Sequence, residues 1–315
     1  MFAKSPKLTR RTMLQTAAAA PLAAAVAGTT AGPLLADGHS TMTPNAIKNS
    51  FKLGDLEVST LLAGSVTREE PQKIFGMNVS EEEFNTASAE NFLPTDKTQF
   101  FFTPTVVNTG NEVILFDTGL NAPGITAPLE AAGYSADDID VIVLTHMHGD
   151  HIGGLTGEDG SATFKNARYV TGQAEFDNWA KADNDRFNSK VKPLAEKMSF
   201  IGDGGEVASG ITGMAAFGHT PGHMVYVLDS GGKQLVITAD TANHYVWSLA
   251  YPEWEVKFDM DKTAAAATRK QVFGMLAADK IPFIGYHMPF PGMGYVETRG
   301  EGGFRYVPAS YQMML

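Results

Sequence analysis

The chain has 315 residues, enough for one large domain or two modest ones with a sizeable core. Hydrophobic residues make up 43% and charged ones 19%, a globular balance that excludes a disordered or fibrous chain. The net charge of −11 offers no basic footprint for nucleic acid, and with no cysteine any metal must be held by His, Asp or Glu.

Residues 1–36 differ in composition from the rest. Lys4, Lys7, Arg10 and Arg11 precede an Ala-rich apolar run from Met13 to Ala27, and no acid occurs before Asp37. These are the basic and apolar regions of an export signal, with an apolar run too short for a membrane span. Thr9-Arg10-Arg11-Thr12-Met13-Leu14-Gln15 resembles a twin-arginine signal, with Met13 where that pattern prefers Phe; a general secretory signal is the alternative. Cleavage after Ala27 or Ala36 takes the net charge from −11 to −15, because four basic residues and no acidic one are lost. The expectation is an acidic protein in the periplasm or otherwise exported, with the twin-arginine machinery as a partner and residues 37–315 forming one domain.

Beyond Phe51 short apolar runs rich in β-branched residues alternate with helical stretches. Phe100–Asn108 and Val113–Phe116 flank Thr109-Gly110-Asn111, which predicts a hairpin. Strands are expected at Ile139–Thr145, Arg168–Thr171 and Ile211–Phe217. A second hairpin is expected from Val225–Leu228 and Leu235–Thr238 around Ser230-Gly231-Gly232-Lys233. Helices are predicted at Ile125–Ala132, Ala174–Ala182, Phe187–Met198 and Lys262–Ala278. Hairpins in some places and helices between strands in others imply an α/β domain of stacked layers.

The buried-strand run Val141–Thr145 leads directly into His146-Met147-His148-Gly149-Asp150-His151. Imidazole and carboxylate are the ligands that borderline cations such as zinc accept. Four such groups within six residues converge only if the backbone turns sharply, which Gly149 permits, and Gly153-Gly154 lets the chain pass close by. His219, Asp240 and His287 each follow an expected strand at its C-terminal end, where open α/β sheets collect site residues. Seven donors exceed what one tetrahedral ion takes and suit two ions sharing a carboxylate.

In this order, His146–His151, His219-Thr220-Pro221-Gly222-His223, Asp240 and His287 resemble the metal-binding set of the metallo-β-lactamase superfamily, from about Phe51 to the C-terminus. The resemblance implies an αββα sandwich with a dinuclear metal site at the sheet edge. It implies His146, His148 and His219 on one divalent ion, Asp150, His151 and His287 on the other, and Asp240 bridging, with zinc the first expectation. Asp117, in Leu115-Phe116-Asp117-Thr118-Gly119, would orient a ligand histidine, and His223 would be structural. A hydroxide bridging the metals would attack esters, lactones or phosphotriesters, with Asp150 as proton shuttle and catalytic residue. A homodimer acting on a small-molecule substrate is implied.

Gly54-Asp55-Leu56-Glu57-Val58, His287-Met288-Pro289-Phe290-Pro291-Gly292-Met293-Gly294 and Phe304-Arg305-Tyr306-Val307-Pro308 are similar to the exported branch that contains methyl parathion hydrolase. Asn121-Ala122-Pro123 departs from that enzyme, where a larger aromatic-bearing loop is expected, so phosphotriesters would be a side activity. Trp179, Phe187 and Phe290 are candidates for the substrate pocket, with plain core the commoner place for such aromatics, and His244 could reach substrate or solvent; Asp183 is expected to face solvent and His39 to be irrelevant. A zinc β-lactamase fits less well, because those with a cysteine ligand are excluded and the others generally lack the bridging aspartate. A thiolester hydrolase of the glyoxalase II kind lacks support in the C-terminal stretch. The alternative from another class is an iron-dependent oxidoreductase of the persulfide dioxygenase kind on the same fold, separable by metal analysis. A non-catalytic metal-binding protein would not need all seven donors.

Overall fold

The structure is a computed structural model that describes residues 47–300 and 302–310. The proposed export signal, His39 and the boundary at residue 37 lie outside the described residues. The described residues form one compact unit. The first half runs β1 (Lys48–Leu53), β2 (Leu56–Leu61), β3 (Gly64–Glu69), α1 (Glu81–Glu90), β4 (Lys97–Phe102), β5 (Thr105–Asn108), β6 (Val113–Phe116), α2 (Ala122–Ala131), β7 (Val141–Leu144), α3 (Gly149–Ile152), β8 (Arg168–Gly172), α4 (Gln173–Lys181) and β9 (Met198–Ile201). The second half runs β10 (Glu206–Ala208), β11 (Ile211–Ala215), β12 (Met224–Ser230), β13 (Lys233–Ala239), α5 (Lys262–Asp279), β14 (Phe283–Gly285), β15 (Met293–Arg299) and β16 (Gly303–Pro308).

Each half builds one seven-stranded sheet, in the orders β1-β2-β5-β6-β7-β8-β9 and β10-β11-β12-β13-β14-β15-β16, and β3 and β4 form a separate antiparallel ribbon. Side-chain alternation explains why the sheets must stack. In β6 and β7, Ile114, Phe116, Val141 and Val143 join Tyr226, Ile237 and Ile284 of the other sheet in a shared core. Leu115, Ile142 and Leu144 face the opposite way, onto Ile125 and Leu129 of α2. On the second sheet Val236 and Phe283 turn outward to Val272, Phe273 and Leu276 of α5. Helix, sheet, sheet and helix therefore follow one another, as the resemblance implies.

Both predicted hairpins are present, with Asn108 opposite Val113 and Ser230 opposite Lys233. Gly231 and Gly232 have φ of 59° and 73°, the left-handed pair that a two-residue hairpin turn requires. Two predictions are corrected. Phe100–Asn108 is two strands, because Pro104 has no N–H for a ladder; its carbonyl accepts from the Leu61 amide at 2.9 Å, and β4 departs to pair with β3. Phe187–Met198 is not one α-helix: a wide turn over Phe187–Val191 passes into a tight 3-10 stretch over Lys192–Lys197 around Pro193, and Met198 opens β9. The strands expected to reach Thr145 and Phe217 stop at Leu144 and Ala215.

The topology places the site. Strands β6, β7, β8 and β9 are parallel, as are β13 and β14, so their C-terminal ends share an edge. Asp117, His146, Asp240 and His287 follow β6, β7, β13 and β14 there. Among the described residues no helix is long and apolar enough to cross a membrane.

Candidate metal centre

The seven donors predicted from sequence converge. Ligand atoms of His146, His148, His219 and Asp240 lie within 4.8 Å of one another, as do those of Asp150, His151 and His287. Asp240 sits between the two groups. Its Oδ1 is 3.2 Å from His151 Nε2, and its Oδ2 is 3.3 Å from His219 Nε2 and 3.1 Å from His287 Nε2. Asp150 Oδ2 lies 3.4 Å from His287 Nε2.

The outward ring nitrogens fix the tautomers. Nδ1 of His151 meets Asp117 Oδ2 at 2.8 Å, Nδ1 of His219 meets Asp259 Oδ1 at 2.9 Å, and Nδ1 of His287 meets the Phe101 carbonyl at 2.8 Å. Carboxylates and carbonyls only accept, so each Nδ1 carries a proton, and each Nε2 faces inward, free to bind a metal once any second proton is released. His146 Nδ1 lies 3.1 Å from the Thr145 hydroxyl, which itself donates to Asp117 at 2.8 Å and so accepts from the ring. His148 turns its Nδ1 inward instead, 3.1 Å from His146 Nε2 and 2.9 Å from His219 Nε2. Three lone pairs meeting at such distances repel unless a cation or proton lies among them. His151 Nε2 and Asp240 Oδ1 are buried without a hydrogen bond, a rare condition in protein interiors. This donor set, oriented and unsatisfied at its centre, fits divalent metal ions.

Electrostatics divide the cluster. Burial, and then the charge on neighbouring His219, lowers His148 to about 3. Burial also holds His146 well below its usual range, with His151 adding to the effect. Burial opposes the proton on His151, His219 and His287 too, but nearby carboxylates outweigh it: Asp240 and Asp117 raise His151, Asp240 and Asp259 raise His219 to about 9, and Asp240 raises His287. Asp240 is held well below the carboxylate range by His287 and His151 despite its burial.

Asp117 has φ of 61°, a left-handed conformation that strains a non-glycine residue, and from there it accepts from the Thr145 amide at 2.9 Å as well as from His151. His223 bonds the Ala216 carbonyl through Nδ1 at 3.1 Å and accepts from the Asp240 amide through Nε2 at 3.2 Å. Both nitrogens are used, which leaves no lone pair for a metal. Gly149 is not left-handed; a Cβ there would strike the Arg186 guanidinium, so glycine supplies space rather than a turn. At Gly153 and Gly154 a Cβ would strike the carbonyls of Leu120 and Thr118.

The pocket residues are largely a correction. The cleft over the donors holds about 320 Å³ and is walled by Phe100, Phe102, Phe258 and Leu120, with Arg68 and Arg186. Trp179 and Phe187 are buried in the outer core beneath sheet one, where amphipathic spacing in the helical stretch sends them. His244 borders a neighbouring cavity, stacked on Trp247, with Nδ1 accepting from the amides of Val246 and Trp247. Phe290 is half-buried and lines neither space. Asp183 is exposed as expected.

Sequence reasoning also missed Asp259, Arg269 and Glu175. Asp259 joins His219 to the fully buried Arg269, whose Nη2 donates to it at 2.7 Å. No local pattern marks Asp259, but a lone arginine among the alanines of α5 is a signal that a partner is buried with it.

Residues 103–281 match the family described as the metallo-beta-lactamase superfamily, more than half of the chain. The chain belongs to the metallo-β-lactamase superfamily. Over 84% of the chain and 98% of its counterpart, the fold is similar to that of AidC, a dizinc quorum-quenching lactonase in complex with a product, at 28% identity and a TM-score of 0.77. The hydrolase AbOPH of the beta lactamase superfamily shares the fold at 23% identity and a TM-score of 0.77, over 84% and 98% of the two chains. A 57-residue stretch is 37% identical to the anti-Pycsar protein Apyc1 of Paenibacillus sp. (strain J14); it spans 18% of this chain and only 22% of that relative.

Proposed function

We propose that this superfamily member is a dizinc hydrolase that opens lactones bearing an apolar acyl chain. The observation that carries the reading is the pairing of two donor groups, sharing Asp240, with an aromatic cleft directly above them. Similarity to a dizinc lactonase over nearly the whole of that chain supports it. His146, His148 and His219 would hold one ion, Asp150, His151 and His287 the other, and Asp240 both. Ions bound there supply hydroxide from water at neutral pH and polarise the scissile carbonyl.

The chain's own residues do the rest. Asp117, Asp259 and the Phe101 carbonyl fix the imidazole orientations through Nδ1. Asp150, half-buried on the cleft wall, takes the proton of the attacking water and returns it to the ring oxygen as the C–O bond breaks. The Tyr286 hydroxyl donates to the Asp150 main-chain carbonyl at 2.6 Å and fixes the backbone from which that carboxylate projects. Phe100, Phe102 and Phe258 take the acyl chain and exclude water.

Kinship with the exported methyl parathion hydrolase-like branch, and phosphotriester cleavage as a slower side reaction, form part of the proposal. Asn121-Ala122-Pro123 bears on the second point: Asn121 caps α2 through Oδ1, accepting from the Gly124 amide at 2.8 Å, so this stretch is a helix start with no added wall for an aryl leaving group. Export through the twin-arginine route, which moves folded proteins, would let metals load before transport. The test is metal quantification on protein purified without added metal, followed by turnover of N-acyl lactones, aryl esters and phosphotriesters. Two zinc-like ions and lactone turnover are expected; a single iron, or no turnover of lactones, overturns the reading.

A further inference from the structure

Six arginines lie among the described residues, and four of them are engaged. Arg168, Arg269 and Arg305 each hold a carboxylate, and Arg299 lies 5.4 Å from the Tyr251 ring centre. Arg68 and Arg186 have no carboxylate within salt-bridge distance among the described residues, and both border the cleft over the metal centre. They come from unrelated parts of the chain, Arg68 from β3 and Arg186 from the stretch after α4, so their place on one cleft is a product of the fold.

Arg186 is seated rather than loose. Its guanidinium lies so close to Gly149 that any Cβ there would strike it, which sets the charge against the backbone between His148 and Asp150. Asp150 does not take it up, because that carboxylate faces His287 and His151 at 3.4 and 3.8 Å. In a chain of net charge −11, two guanidinium groups without a carboxylate partner stand over one cleft, whose own carboxylates, Asp150 and Asp240, are turned toward the histidines. A guanidinium presents parallel donors that match a carboxylate edge to edge.

We propose that Arg68 and Arg186 form an anion subsite that selects substrates carrying a carboxylate remote from the bond that is cleaved, with the intervening chain against Phe100, Phe102 and Phe258. The scissile-bond assignment rests on the hydrolase reading above; the anion subsite does not.

The probe is adipate against its monomethyl ester, the same chain with one charge removed, titrated calorimetrically into metal-loaded protein. Adipate is expected to bind about tenfold more tightly, the usual worth of a charge-assisted pair. Arg186→Gln and Arg68→Gln should each reduce that ratio, the double variant should bring it to one, and Arg186→Lys should restore part of it. Equal binding by the unaltered protein, or a ratio that survives in the double variant, overturns the subsite. Both side chains are exposed, so unchanged melting temperatures verify that the variants fold. A preserved adipate preference without any lactone or ester turnover supports the subsite and rejects only the hydrolase reading.

Discussion

The carboxylate of Glu175 accepts the hydroxyl of Thr220 at 2.7 Å and thereby joins α4 to the loop that carries His219. The same carboxylate takes the Met147 amide at 2.9 Å, between His146 and His148, together with the Gly222 amide at 2.9 Å and the Trp179 indole at 2.7 Å. Burial pushes the Glu175 carboxyl upward, and these four donors oppose the rise. Glu175→Gln would turn an amide donor toward groups that are themselves donors. It should lower stability by about 2–4 kcal/mol and weaken the metal subsite of His146, His148 and His219. Thermal melts with zinc titration check this; unaltered stability and metal affinity would remove the role.

Asp240 is the pivot between the two donor groups. Asn in its place keeps the size but loses the charge that offsets repulsion between two dications. Asp240→Asn should retain about one metal, fold normally and lose at least ~100-fold in turnover, while Asp183→Asn at the exposed surface changes neither. Two tightly held metals in Asp240→Asn would refute the bridging role.

Metal uptake should release protons. In chelator-treated protein His219, raised to about 9 by Asp240 and Asp259 against its burial, holds a proton at pH 7 that a ligand nitrogen must give up. His151 and His287 are shifted the same way. Zinc affinity should therefore rise with pH through the range up to about 9. The sign for folding is opposite: the stability His219 lends the metal-free protein is complete below its unfolded value near 6.5 and is lost as pH rises through about 9. Calorimetry in buffers of different ionisation enthalpy counts the protons; a count of zero at pH 7 contradicts this.

The aromatic wall should set chain-length preference. Phe258→Ala is expected to cut the ratio of kcat/KM between long-chain and short-chain lactones by about tenfold, as loss of buried apolar surface implies. Trp179→Phe should lower stability, through its lost bond to Glu175, and leave that ratio alone. A ratio that follows Trp179 instead of Phe258 would move the pocket.

Arg10→Lys with Arg11→Lys keeps the charge of the leading segment. Export by the twin-arginine route should stop, whereas a general secretory signal tolerates the change. Fractionation for mature protein decides between them, and normal export of the double variant excludes the twin-arginine route.

The donor set was legible because metal chemistry compresses it: four ligands within His146–His151 and three more beyond apolar runs. The hairpins were legible from Gly110 and from Gly231-Gly232. The walls were not. Trp179 and Phe187 read as pocket residues because an aromatic in a helical stretch has the same pattern whether it faces a core or a cleft. Strand β3 carries only half-exposed or exposed residues over Gly64–Glu69, so it shows no apolar run to announce a strand, unlike its partner β4 with Phe100-Phe101-Phe102. Asp259 lies 40 residues from His219, and only folding brings the two together.

The ribbon has one more implication. It supports the metal centre with a main-chain atom, the Phe101 carbonyl on His287, and meets the cleft with the side chains of Arg68, Phe100 and Phe102. A carbonyl is the same whatever residue bears it. The side chains at positions 68 and 101 can therefore drift, and with Arg68 the choice of substrate, while the acceptor for His287 is inherited unchanged; Phe100 and Phe102, buried and edge-on to the His287 ring, are held more tightly. New specificities can accumulate on this ribbon without passing through a protein that has lost its metals.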